Sequence, residues 1–256
     1  MLMLLATLAA RAELATAELT AAGVAEFTAA YQEWSGARFA AATEKFRQAT
    51  ARPDATVTNF YWLGVSEFHR MLQLRDHPAN AAAAAAALES AVAALTAAAE
   101  RDAAHAECQA LLGTLFGMKI NGSLVRAAWF GPRVAKYQAG ALKTGAANPR
   151  VQYLLGMGRF HTATKPAARE EALKTLLAAE KLFAAEAGKA AAPLVPRWGH
   201  DSCLTFIGRT YELLGRPPEA AEYFRKALAL RPADHIAQAG LKRLLAGAPP
   251  ATAERP

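Results

Sequence analysis

The stretch Asp201–Asp234 reads DSCLTFIGRTYELLGRPPEAAEYFRKALALRPAD. Leu204, Ile207, Gly208 and Tyr211 recur at three- and four-residue intervals, the spacing of one helix face. Gly215-Arg216-Pro217-Pro218 follows, and Gly215 supplies a sharp helix-ending turn. Ala220, Phe224 and Ala227 mark a second helix, which Pro232 ends. Gly208 and Ala220 allow the two helices to approach closely, and Tyr211 and Phe224 fill the space beside them. A further helix, roughly residues 236 to 246, carries Lys242 and Arg243 and ends at Gly247. It is placed to cap an array of such pairs.

Looser copies precede this unit. Residues 149–187 offer Leu155, Gly156 and Phe160, then Ala172, Leu176 and Ala179. Residues 106–149 offer Leu112, Gly113 and Phe116 and close on Asn148-Pro149; their middle, Asn121-Gly122 to Gly131-Pro132, reads as irregular or as an extra short helix. Residues 58–104 offer Phe60, Leu63 and Gly64, then Ala91, Leu95 and Ala98. An insertion holding Asp76-His77-Pro78 and the run Ala81 to Ala87 delays the second helix there. Residues 23–54 supply Gly36, Phe39, Ala42, Phe46 and Ala49. About five helical pairs result, with residues 188–199 as an irregular linker.

The 201–234 unit resembles a tetratricopeptide (TPR) repeat in length, spacing and residue type, and the resemblance extends over most of residues 23–246. It implies an all-α, right-handed solenoid and a groove lined mainly by first helices. Registering on the small residue of each first helix gives candidate groove residues. They are Tyr61, Phe68 and His69 in the second unit and Met118 in the third. The fourth supplies Arg150, Tyr153, Met157, Arg159, Phe160 and His161, and the fifth Arg209. Cation, aromatic and flexible apolar groups together suit an extended peptide or an acidic ligand. Tyr61 and Val65 stand where chaperone-tail clamps would have Lys and Asn, so that TPR role is not expected.

A narrower resemblance joins Asn148-Pro149-Arg150-Val151, a long second helix and Pro196-Arg197-Trp198-Gly199. These phrases look like exported bacterial TPR proteins that include relatives of the T-component of TRAP transporters. Their glycine-rich loop is replaced here by Thr162-Ala163-Thr164-Lys165-Pro166, and their lipobox cysteine is absent. The resemblance implies a binding protein in the periplasm, with a small-ligand-binding accessory of a transporter as the second reading.

Composition agrees with an all-helical chain. Of 256 residues, 66 are Ala, against 8 Val and 3 Ile, too few β-branched residues to build a large sheet. Alanine is the best helix former and suits close helix contacts. The net charge of +7 is concentrated: from Cys108 to Arg169 there is no Asp or Glu, while nine Lys or Arg residues occur. Either an anionic partner sits near that segment or its helix faces are basic and solvated. Phe116, Trp129, Phe130 and Tyr137 are interleaved with it, a pattern that also fits single-stranded nucleic acid. Most of these aromatics fall at helical core spacing, and export disfavours nucleic acid further.

The opening MLMLLATLAARAEL reads as a secretory leader: apolar Leu2 to Ala10, then small-x-small Ala10-Arg11-Ala12, with cleavage before Glu13. It carries no Lys or Arg before the apolar run, and a cytoplasmic chain is the alternative. No other stretch reads as long and apolar enough to span a bilayer. The mature solenoid would cover residues 13–246, and residues 247–256 read as a disordered tail.

His105/Cys108 and His200/Cys203 place a histidine and a cysteine on one helix face at i, i+3. They fall in units that are not adjacent, so no four-ligand metal site is expected. Asp201 or Ser202 reads as a helix N-cap rather than as catalytic equipment. Phosphate-loop, hydrolase-elbow and metalloprotease motifs are missing, so no cofactor and no enzymatic activity are expected.

Overall fold

The computed structural model describes the backbone of residues 2–190 and 192–250, with side chains from Thr16 onward. Helices α1 (Leu2–Glu33), α2 (Gly36–Thr50), α3 (Val57–Leu74) and α4 (Ala81–Arg101) come first. Then follow α5 (Ala106–Ile120), α6 (Leu124–Gly145), α7 (Pro149–Thr162) and α8 (Pro166–Ala187). Last come α9 (His200–Leu213), α10 (Pro217–Leu230) and α11 (His235–Leu245). Consecutive helices pack as pairs, α1 with α2 through α9 with α10, and α11 packs on the last pair. Among the described residues there is no strand, and the all-α repeat architecture is the one expected.

The chain forms two compact units: Met1–Ala103 with Ala192–Pro196, and Ala104–Ala191 with Arg197–Pro256. In the first unit Phe27 meets Trp62 edge-on at 5.3 Å, and Phe46 stacks on the same indole at 5.8 Å. Trp62 keeps its polar atom satisfied by donating Nε1–H to the Leu194 carbonyl at 3.0 Å. The run Ala81 to Ala87 is not an insertion: it forms the first two turns of α4, and only residues 75–80, including a 3-10 turn over Pro78–Asn80, separate α3 from α4. The expectation of no further membrane-length stretch is corrected here. Pro78–Arg101 is 24 residues long and holds an 18-residue window of mean hydropathy 1.6, long and apolar enough to cross a membrane by length and composition. Its buried Ala84, Ala87, Ala91, Leu95 and Ala98 form the face that packs against α3. Alanine is apolar enough to raise hydropathy yet small enough to leave half a helix exposed.

In the second unit the predicted close approach is present. A Cβ on Gly208 would lie 2.8 Å from the Phe224 ring and 3.2 Å from the Ala220 carbonyl oxygen. Gly215 makes the following turn at φ +71°, which glycine adopts without steric cost. Helix starts are capped by side chains that satisfy otherwise unpaired N–H groups. Asn148 accepts from Arg150 and Val151 at α7, and Asp234 accepts from Ile236 and Ala237 at α11. The N-cap of α9 is Gly199 at φ +101°, with no side-chain cap bond, rather than Asp201 or Ser202. Asp201 is turned instead to the buried Arg231.

α6 also differs from the irregular segment read in the sequence. It runs unbroken from Leu124 to Gly145 with Pro132 inside it. Proline removes the hydrogen bond to Ala128, but both residues are exposed, so water can take that carbonyl. As for the chain ends, the expected leader 1–12 falls on residues whose side chains lie outside those described, and α1 is one helix across the Ala12–Glu13 bond. Residues 251–256 of the expected tail also lie outside the described residues.

Candidate functional site

In the second unit the first helices α5, α7 and α9 neighbour one another. Tyr153, Met157 and His161 follow at four-residue steps along α7, so they form one stripe. Tyr153 is 5% exposed and donates its hydroxyl to the Met157 sulfur at 3.8 Å. Burial pushes its phenol well above the ordinary range, so it stays neutral. Toward the end of α7 the stripe meets α9. Phe206 packs on Phe160 at 5.2 Å and on His161 at 5.5 Å. The Arg209 guanidinium lies 4.9 Å from the Phe160 ring centre and 5.5 Å from that of Phe206. Phe160 is buried beneath, while His161, Phe206 and Arg209 are half-buried. An aromatic plate with a stacked cation and an imidazole is thus offered on two neighbouring helices.

Phe206 was not singled out in the sequence. It stands one turn before Arg209, and that one-turn spacing was the signal available.

The other candidates sit elsewhere. Arg150 is 2% exposed and does not face solvent. Its Nε donates to Glu107 Oε1 of α5 at 2.8 Å, and its Nη1 donates to Glu186 Oε2 of α8 at 2.9 Å. Asn148 Nδ2 donates to the same Glu107 oxygen at 2.8 Å. This arginine ties three helices together. Arg159 reaches across to the Thr175 hydroxyl of α8. Tyr61, Phe68 and His69 are 2%, 2% and 4% exposed and belong to the core of the first unit. His69 packs among Phe27, Tyr31 and Phe68, its Nδ1 2.8 Å from the Val65 carbonyl oxygen. Met118, on α5, is 9% exposed.

The two histidine–cysteine pairs are structural in their contacts. His105 caps α5 by accepting from the Cys108 amide at 3.3 Å. His200 stacks on Phe183 at 5.2 Å. Both cysteines are fully buried, and the Cys203 thiol donates to the Leu176 carbonyl at 3.4 Å. Burial holds that thiol well above its ordinary pKa, the opposite of what a nucleophile needs. Among the described residues no group of three His, Cys, Asp or Glu side chains could hold a metal ion.

A separate cavity of about 500 Å³ lies beside α8, lined by Glu170, Lys174, Lys181, Tyr211 and Arg216 among others.

No protein-family model matches the chain, and no curated protein matches it. Among solved structures, it is similar to the crystal structure of a thermophilic TPR protein in Thermus thermophilus. The two align at a TM-score of 0.60 and 15% identity, over 88% of this chain and 99% of that one. At that identity the likeness bears on the fold alone, and the fold is that of a TPR protein.

Proposed function

We propose that this chain is a non-catalytic binding module for a protein or peptide of acidic character. The observation that carries the reading is the Phe206–His161–Arg209 cluster over Phe160, presented by two neighbouring first helices. A guanidinium stacked on aromatic rings brings positive charge to the cluster, which suits an acidic partner, and the aromatic plate offers area at low entropic cost. The buried, high-pKa Cys203 supports the non-catalytic part.

The test is co-purification from the native host followed by mass spectrometry, comparing the unaltered chain with Phe206→Ala/Arg209→Ala. The unaltered chain should retain a partner that the double variant loses at least about tenfold, the order of one lost hot spot. An identical set of retained proteins would end this reading.

Export to the periplasm is part of the proposal and is supported by the leader-like opening. Chain recovered from cells should begin at Glu13; an uncut N-terminus would refute export. A second reading, a small-ligand-binding accessory of a transporter related to TRAP T-components, draws on the Asn148-Pro149-Arg150 phrase and the cavity beside α8. A small carboxylate that raises the melting temperature, an effect abolished by Lys174→Ala/Arg216→Ala, would favour it.

A further inference from the structure

Helix α6 buries only Ala141 and Gly145 fully, and its opposite side carries large apolar residues in water. Leu124 is 88% exposed, Val125 81%, Trp129 68% and Leu142 41%. Few soluble surfaces leave such residues out without a use for them. At 3.6 residues per turn, Val125, Trp129, Lys136 and Lys143 fall along the centre of this outer face. Leu124 and Leu142 flank it on one side, Arg126 and Arg133 on the other.

Arg126, Arg133, Lys136 and Lys143 form no ion pair among the described residues. They run along about 26 Å of helix at 1.5 Å per residue. The helix itself contains no Asp or Glu. Arg133 also lies 5.8 Å from the ring centres of Trp129 and Phe130, which places the cations beside the aromatic part of the face.

We propose that the outer face of α6 docks on an anionic lipid bilayer. The face stands proud on the outside of a helix. Protruding apolar groups need an apolar medium to enter, and a line of cations needs a continuous layer of negative charge. A bilayer surface with acidic headgroups supplies both at the same depth, and tryptophan favours that boundary. The charge complementarity is one-sided, since no carboxylate on α6 would repel the headgroups. This inference uses none of the residues of the α7–α9 cluster.

The experiment is co-sedimentation of the full chain with vesicles of phosphatidylcholine, with and without phosphatidylglycerol, read together with tryptophan emission. Partition is expected onto phosphatidylglycerol vesicles, with a blue shift, and should weaken strongly in 0.5 M salt, chosen as roughly three times physiological strength. Arg126→Glu/Arg133→Glu/Lys136→Glu/Lys143→Glu should lower partition at least about tenfold, since each surface cation near an acidic leaflet counts. Trp129→Phe should keep the partition and lose most of the shift, because Trp62 and Trp198 are buried and half-buried Trp34 is off α6, its Nε1–H donated to Asp76. Circular dichroism checks folding, and Arg126→Glu/Lys143→Glu serves if the fourfold variant misfolds. Phe206→Ala/Arg209→Ala should leave partition unchanged.

Four results would overturn the proposal. One is no partition, and another is equal binding to neutral vesicles. The third is equal partition by the charge-reversed chain, which would assign binding to the apolar N-terminal segment. The fourth is displacement of the vesicles by a soluble acidic polypeptide that binds the same face more tightly, which would assign the face to a protein.

Discussion

Helix α7 holds Arg150 at 2% exposure between carboxylates from α5 and α8. Helix α6, drawn from the same acid-free stretch, leaves Arg126, Arg133, Lys136 and Lys143 on the surface with no ion pair among the described residues. In the sequence these residues are alike, members of one basic segment. In the fold they do opposite things. Arg150 is neutralised by Glu107, directly before the segment, and by Glu186, well beyond its far end. Arg159 and Arg169 are also committed, to the Thr175 hydroxyl and the Leu213 carbonyl. Those acceptors are neutral and leave the two charges in place; of the nine cations in the stretch, four lie exposed along α6 alone, and Arg159 and Lys165 are exposed beyond it.

The largest effect expected from this contrast is on stability. Arg150→Met keeps much of the volume but strands Glu107 in the interior beside Asn148. It should cost about 3–5 kcal/mol, the usual result of removing one partner from a buried pair. Arg133→Met on α6 should change stability by no more than about 0.5 kcal/mol. Urea denaturation of both variants checks the pair. Equal losses would erase the distinction between the two helices.

A smaller effect sharpens the same contrast, between packed and open positions. Gly208→Ala places a methyl 2.8 Å from the Phe224 ring and 3.2 Å from the Ala220 backbone. The ring can shift but the backbone oxygen cannot easily do so, and the expected cost is about 1–3 kcal/mol. The corresponding change at an open position, Gly117→Ala on α5, meets nothing within 4 Å and should be neutral or stabilising. A thermal melt of each distinguishes them.

The smallest effect is a pH dependence on the packed side. Half-buried His200 has its pKa lowered from 6.5, chiefly by burial. Its neutral form is the one the fold prefers. Stability from this residue is present above pH 6.5, the unfolded value, and is lost as pH falls through the lower folded value. His200→Gln should flatten the stability profile below pH 6.5, and denaturation at stepped pH reads the difference.

Much of the architecture was legible before any coordinates. The Gly208–Phe224 packing and the Gly215 turn were readable because each depends on residue size or backbone freedom at a fixed helical spacing. The capping position of α11 was readable because helix ends follow the same local rules. The candidate site was legible only in part. Met157, His161 and Arg209 were reached by register alone, and Phe206 was missed although it completes the cluster. Arg150, Tyr61, Phe68 and His69 share that register but are buried. Register places a residue on a helix face. It does not say whether the next helix covers that face.

The sequence by itself determined the helical content, the pairing period and the uneven distribution of charge. All three follow from local rules: propensity, spacing and counting. Only the tertiary structure decided which cations are neutralised and which stay on the surface. Glu107 and Glu186 lie 43 and 36 residues from Arg150, so their pairing depends on how neighbouring helices nest rather than on any short pattern. The same is true of α6: Pro132 reads as a break in the sequence, yet the helix continues through it at an exposed position, where water can take the freed carbonyl of Ala128.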